Sequence, residues 1–281
     1  MTQRRTWLFV PGADERAHEA AARSGADVIV LELEDFTPPE LRPKARALAA
    51  RAFERWRKAG ALAAVRVNPL ETDGVADLGA VLAGKPDVVM MSKVSSPEQV
   101  RALELATGGG PELVPNIESA AALRRAFDIA KASPRVTAML VASEDMVADL
   151  GTTRSRGGEE LAYVRQRFLV ECRAAGVEAI DAPYTFSDVK GAVADAKWAQ
   201  RMGYRMKSLV DPSHAKAVNK VLSPDVARAS RIVAAFETAR KQGKERARLD
   251  GALIEVPIYA AAKRLLESAA RTPPPRRRKR G

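Results

Sequence analysis

Cysteine is almost absent from this chain. Cys172 stands alone, so no internal disulfide can form and a cysteine zinc site is not expected. That usage fits a reducing cytosol and places the protein in the cytoplasm. Histidine is nearly as scarce, and His18 and His214 are expected at the surface rather than as metal ligands. Aromatic residues make up 5% of the chain, and Trp7, Trp56 and Trp198 are expected to pack the core. No apolar run is long enough to span a membrane, and the run in MTQRRTWLFVPG is too short for a signal peptide. The glycine-rich phosphate turn of an open dinucleotide-binding sheet is also missing, since PGADER after the first apolar run holds a single glycine. Acidic residues are in deficit, leaving a net charge of +11. The last eleven residues, RTPPPRRRKRG, carry six of the positive charges and no negative one, which leaves +5 on residues 1–270. No aromatic interleaves that basic run to stack on bases, so a solvated tail is the leading reading over nucleic-acid binding.

What the chain does have is an ordinary hydrophobic content of 46% and a regular alternation of elements. Apolar runs at TWLFVP, DVIVLELED, ALAAVRVNP and DVVMMSKV each precede a helical stretch. They are followed by VPNIES, MLVASED, VEAIDAPY and YRMKSLVDP. Runs without polar alternation fit strands covered on both faces. Eight βα units predict a parallel (β/α)8 TIM barrel over residues 1–222. Two amphipathic helices over 223–270 exceed what a barrel needs and are expected to form a cap or a subunit contact. Residues 271–281 form a basic tail with nothing to bury, expected to be disordered. The polar, glycine-rich GTTRSRGGEE is expected to be a mobile loop.

In a barrel, chemistry collects where the strands end. Glu34, Asp35, Arg66, Asn68, Lys93, Glu118, Asp145, Asp181, Lys207 and Asp211 all fall at such ends. Glu118 and Asp145 stand out, because each closes a buried apolar run and a single helix from Ala120 to about Ala132 separates them. Neighbouring parallel strands would set both carboxylates at one edge. Two hard oxygen ligands there suit Mg²⁺, which takes one or two carboxylates and keeps positions open for substrate oxygens.

The stretches LFVPGADERAHEAAARSGADVIVLELED, KARALAAR, VRVNPL, SKV, PNIES, ASEDMVADLG, AGVEAIDAPY and DGALIEVPIYAAAKRLL resemble the citrate lyase beta-subunit group of the HpcH/HpaI aldolase superfamily. The similarity runs in order over roughly residues 4–270. The resemblance implies a TIM barrel, a Mg²⁺ cofactor, a homotrimer or hexamer, and cleavage of a 3-hydroxyacyl thioester of citryl-, malyl- or citramalyl-CoA type, on CoA or an acyl carrier. It places the metal on Glu118 and Asp145, and sets Arg66 against the thioester carbonyl. Lys44 matches the family's lysine that touches the cofactor's phosphates, and Asn68, at a strand end, is expected to join Arg66 in binding substrate. The proton donor comes from the C-terminal segment of a neighbouring subunit, where the family has Asp and this chain has Glu255. The family's LDLED reads LELED here, introducing Glu32, and Asp211 replaces a histidine after Lys207.

Three rival readings stay open. Lys93 or Lys207 is a candidate Schiff-base lysine of a metal-free aldolase, which requires an amine desolvated on a strand. Alternatively, the chain is a non-catalytic acyl-thioester-binding subunit. The third reading is nucleic-acid binding through RRRKR.

Overall fold

A computed structural model describes residues 4–271. The expected basic tail therefore lies outside the described residues, except for Arg271, which closes the last helix. Two compact units result: Arg4–Leu222, and the segment from Ser223 onward. No described helix is long and apolar enough to cross a membrane.

The first unit is a closed barrel of eight parallel strands in sequence order. These are β1 (Thr6–Pro11), β2 (Val28–Glu32), β3 (Leu62–Val67), β4 (Val88–Met91), β5 (Glu112–Ile117), β6 (Ala138–Val141), β7 (Glu178–Asp181) and β8 (Met206–Leu209). Closure is made by β1, which pairs with β2 on one side and β8 on the other. The helix boundaries follow local chemistry. Asp14 caps Glu15–Ser24 by accepting from the amides of Arg16 and Ala17. Ser96 accepts from the amide of Gln99, and Pro97 opens the helix it caps.

Side-chain alternation along each strand divides the core in two. Trp7, Phe9, Val28, Val30, Ala64, Val88, Met90, Val114, Leu140 and Ile180 fill the barrel interior. Their sequence neighbours Leu8, Ile29, Leu31, Val65, Val89 and Leu113 pack outward against the helices. Trp7 and Trp56 are fully buried, as a packing role requires. Cutting either to Ala is expected to cost about 3–5 kcal/mol.

Three expectations need correction. The stretch from Ala120 holds two short helices, Ala120–Arg124 and Ala126–Ala130, because Arg125 leaves helical geometry at φ −108°. The segment after Ser223 is not wholly helical. Between helices Val226–Lys241 and Val256–Arg271 lies an antiparallel hairpin, β9 (Ala247–Leu249) with β10 (Ala252–Ile254). Its turn residues Asp250 and Gly251 have φ of 51° and 79°, and Asp-Gly is the pair that tolerates two left-handed residues in a tight hairpin. Phe236, Ala239, Ala247 and Ile254 form this unit's core, with Phe236 stacked on Tyr259 at 4.6 Å. Finally, both histidines are buried. Nε2 of His18 lies 3.0 Å from the Pro11 carbonyl and its ring meets Trp56 edge-on, while His214 packs beside Tyr184.

Candidate active site

Strand parity carries polar side chains into the barrel above the apolar layers. Val28 and Val30 face inward, so Glu32 does too; Ala64 brings in Arg66, and Val114 brings in Asn116 and then Glu118. Glu32 and Arg66 are also direct neighbours in the β2–β3 register. Nε of Arg66 donates to Oε1 of Glu32 at 2.8 Å. Its Nη2 reaches Glu34 at 3.3 Å and Asp35 at 3.2 Å, and Nη1 lies 3.7 Å from Oε1 of Glu118. The guanidinium sits over the Phe9 ring, 5.3 Å from its centroid. Burial works against the Arg66 charge, but Glu32, Glu118, Glu34 and Asp35 outweigh it and hold its pKa above the usual value.

Lys93 leaves β4 in the left-handed region at φ 54° and bonds Glu34, with Asp35 at 3.6 Å. Burial lowers its pKa, yet these two carboxylates raise it further, so its ammonium stays charged. Burial raises the pKa of Glu34 against the pull of Arg66 and Lys93.

Glu118 is 4% exposed, and neither of its carboxylate oxygens has a hydrogen-bond partner among the described residues. Burial pushes its pKa up to about 8, opposed by Arg66 and reinforced by the charges of Asp145 and Glu34. The structure thus brings Glu118, Arg66, Glu34 and Lys93 together, with Asp145 near enough for its charge to act on Glu118. Asp145 differs in one respect from expectation: β6 stops at Val141, and Asp145 lies in the first turn of the helix Glu144–Asp149 rather than at the strand end. Among the described residues no cluster of three or more His, Cys, Asp or Glu is set to hold a metal. A pair of carboxylates is what Mg²⁺ needs from protein. Glu32, Glu34, Asp35 and Glu118 surround Arg66 and Lys93, and the Asp145 charge acts on Glu118, so the acids outnumber the cations and a divalent ion suits the balance.

The remaining expected site residues fall elsewhere. Asn68 is buried, and its amide donates to the Leu33 carbonyl and to Asp77, both at 2.8 Å, tying the segment after β2 to the helix Val75–Val81. Lys44 is exposed near the start of the helix Arg42–Lys58, on the mouth side of the barrel. Glu255 follows β10, half exposed, 3.3 Å from Arg246. Asp211 caps a short turn through the Ser213 amide. Asp181 and Lys207 are not in the mouth. Ile180 and Met206 point inward, so their neighbours point out toward the helices. There Lys207 meets Asp181 at 2.7 Å and Asp195 at 2.5 Å, and Arg165 bonds both acids. Sequence reasoning missed Arg165 and Asp195, which signal only through their helical spacing. The loop expected to be mobile is cross-tied: Glu160 accepts from the Ser155 amide at 3.0 Å and from Arg154 at 2.7 Å.

Fold and mouth together define a (β/α)8 barrel with a buried carboxylate, Glu118, near a buried arginine, and a second acid, Asp145, on the helix that follows β6. Residues 5–212 match the HpcH/HpaI aldolase/citrate lyase family, and the chain belongs to it. The chain is 33% identical to the citrate lyase subunit beta of Haemophilus influenzae, an alignment covering 96% of this chain and 98% of that one. It is 32% identical to a (3S)-malyl-CoA thioesterase of Cereibacter sphaeroides, covering 94% of each. The solved structure of CitE from Mycobacterium tuberculosis in complex with magnesium, acetoacetate and coenzyme A shares 28% identity. That match has a TM-score of 0.78, over 95% of this chain and 98% of that one.

Proposed function

We propose that the protein is a Mg²⁺-dependent carbon–carbon lyase. It would cleave a 3-hydroxyacyl-CoA of citramalyl, malyl or citryl type into acetyl-CoA and an oxo-acid. The observation that carries this reading is the Glu118 carboxylate, buried within reach of the Asp145 charge with neither oxygen hydrogen-bonded. Such a group is costly unless something else meets it. Glu118 and Asp145 would hold Mg²⁺, which supplies Lewis-acid polarisation of the hydroxy-acid's oxygens. The metal and the coenzyme A bound in the Mycobacterium tuberculosis relative support both ligands.

In this scheme the bond between the hydroxyl-bearing carbon and the carbon next to the thioester breaks. Its electron pair moves onto the thioester as an enolate, and the hydroxyl passes its proton to an ionised carboxylate of the mouth as its carbon becomes the oxo carbon. Arg66, with Nε held by Glu32, turns its Nη edge toward the mouth and donates to the thioester oxygen as negative charge grows there. The enolate carbon then takes a proton, from Glu255 of a neighbouring subunit in a homotrimer or hexamer. Lys44 forms no ion pair among the described residues, which suits an anionic thioester carrier. The Schiff-base alternative fares worse, since Lys207 lies between two carboxylates and Lys93 is held charged by two others.

Glu118→Ala and Asp145→Ala should each abolish Mg²⁺-dependent release of oxo-acid from a hydroxyacyl-CoA panel. Full turnover in either variant removes the metal assignment. Release of free CoA with an intact hydroxy-acid would instead favour hydrolysis, the activity in the name of the Cereibacter sphaeroides relative.

A further inference from the structure

We propose that Glu32 is the positioning residue of the mouth. It fixes the plane of Arg66 and the location of Glu34 and Asp35 with one fully buried carboxylate, and this inference rests on the catalytic reading of Arg66 above. Every oxygen of its side chain is used. Oε1 accepts from Arg66 Nε at 2.8 Å and from the Glu34 amide at 2.7 Å, and Oε2 accepts from the Phe36 amide at 2.6 Å. Its backbone carbonyl is engaged as well, by the Gly12 amide at 3.0 Å and the Thr37 hydroxyl at 2.5 Å. Gly12 has no space for a side chain here, because a Cβ would stand 2.7 Å from that carbonyl.

The geometry has a chemical consequence. A guanidinium held through Nε cannot rotate about its long axis, and its Nη edge is turned to the mouth, where Nη2 meets Asp35 at 3.2 Å and Glu34 at 3.3 Å. The same carboxylate shapes the turn from Glu34 to Phe36, so the two acids that hold Lys93 are placed by it too. Glu32 is thus the group that Arg66 and the acid loop share, and it links the Nε of one to the backbone of the other. Aspartate at this position would be shorter by one methylene, about 1.5 Å. It could not keep Arg66 and both amides at once without moving one of them.

The test compares the full-length protein with Glu32→Asp and Glu32→Gln. In each folded variant kcat should fall about 10- to 100-fold, the scale of a roughly 1 Å misplacement, with KM for the hydroxyacyl-CoA changed less than threefold. Independently of turnover, ¹⁵N NMR should show the Arg66 Hε–Nε resonance protected from exchange in the parent and at least tenfold faster in the variants. Parental kcat and parental Hε protection in both folded variants would overturn the proposal. A matched rise in KM with unchanged kcat would overturn it as well, since that is lost binding rather than lost orientation. If Glu32→Gln does not fold, Glu32→Asp decides. A parent that cleaves no thioester on the panel sinks the lyase reading while leaving the Hε exchange to decide whether Glu32 holds Arg66.

Discussion

At Glu118 the cost of burial outweighs the attraction of Arg66, and that inequality has a measurable sign. The folded pKa is about 8 against an ordinary 4.5, so the native state favours the protonated acid. Its contribution to stability is complete below about 4.5 and is lost as pH rises through about 8. The metal-free protein should therefore lose stability across that window relative to Glu118→Gln, whose side chain does not titrate. Urea melts of both proteins at several pH values measure the difference, which also cancels the opposing contribution of His18, whose burial lowers its pKa. A flat difference would mean that Glu118 is ionised without metal. At pH 8, Mg²⁺ at a hundred times its Kd should return about 2.7 kcal/mol to the parent and little to Glu118→Gln. Of this site, the acids and the arginine were legible because they follow apolar runs. The tie between Arg66 and Glu32 was not, since it depends on the β2–β3 register, which no single strand displays.

At the scale of elements, the eight strands and most helix starts were readable from apolar runs, capping residues and first-turn prolines. Which way a strand's polar residue points was not. A run buried on both faces lacks alternation, so Lys207 in YRMKSLVDP looks the same whether it faces the mouth or the helices. Only the inward Met206 and Ile180 decide, and they send Lys207 and Asp181 outward into a buried quartet with Arg165 and Asp195. There Lys207 and Arg165 overcome burial and draw Asp195 down to about 2. Removing one member strands the opposite charge, so Lys207→Met should destabilise by about 3–5 kcal/mol in denaturant melts. Borohydride with substrate should leave no adduct on Lys207, and a trapped adduct would restore the Schiff-base route. The hairpin of β9 and β10 is the converse case, where the Asp250–Gly251 signal was present and passed over. Gly251→Val forces a branched side chain to φ 79° and should cost at least about 1–2 kcal/mol. A variant as stable as the parent would show that this turn relaxes without penalty.

On the scale of the whole molecule, barrel and C-terminal segment hold separate cores, and the proposed chemistry draws on both. Arg66 belongs to the barrel and Glu255 to the C-terminal unit, where it is half exposed beside Arg246. The barrel was countable from the sequence, whereas a subunit contact would leave no periodic mark on one chain, and the expected trimer or hexamer came from the resemblance alone. If Glu255 donates its proton across an interface, a complete site needs Arg66 from one subunit and Glu255 from its neighbour. Arg66→Ala and Glu255→Ala should each be inactive alone, since one lacks the donor to the oxyanion and the other the proton source. A hetero-oligomer of the two contains interfaces where both intact residues meet, and it should recover part of the parental rate. The fraction should follow the mixing ratio and peak near equal proportions. Native mass spectrometry verifies the mixed oligomers while acetyl-CoA formation is followed. Verified mixing without recovery would place the proton donor within the same chain, or on another residue altogether.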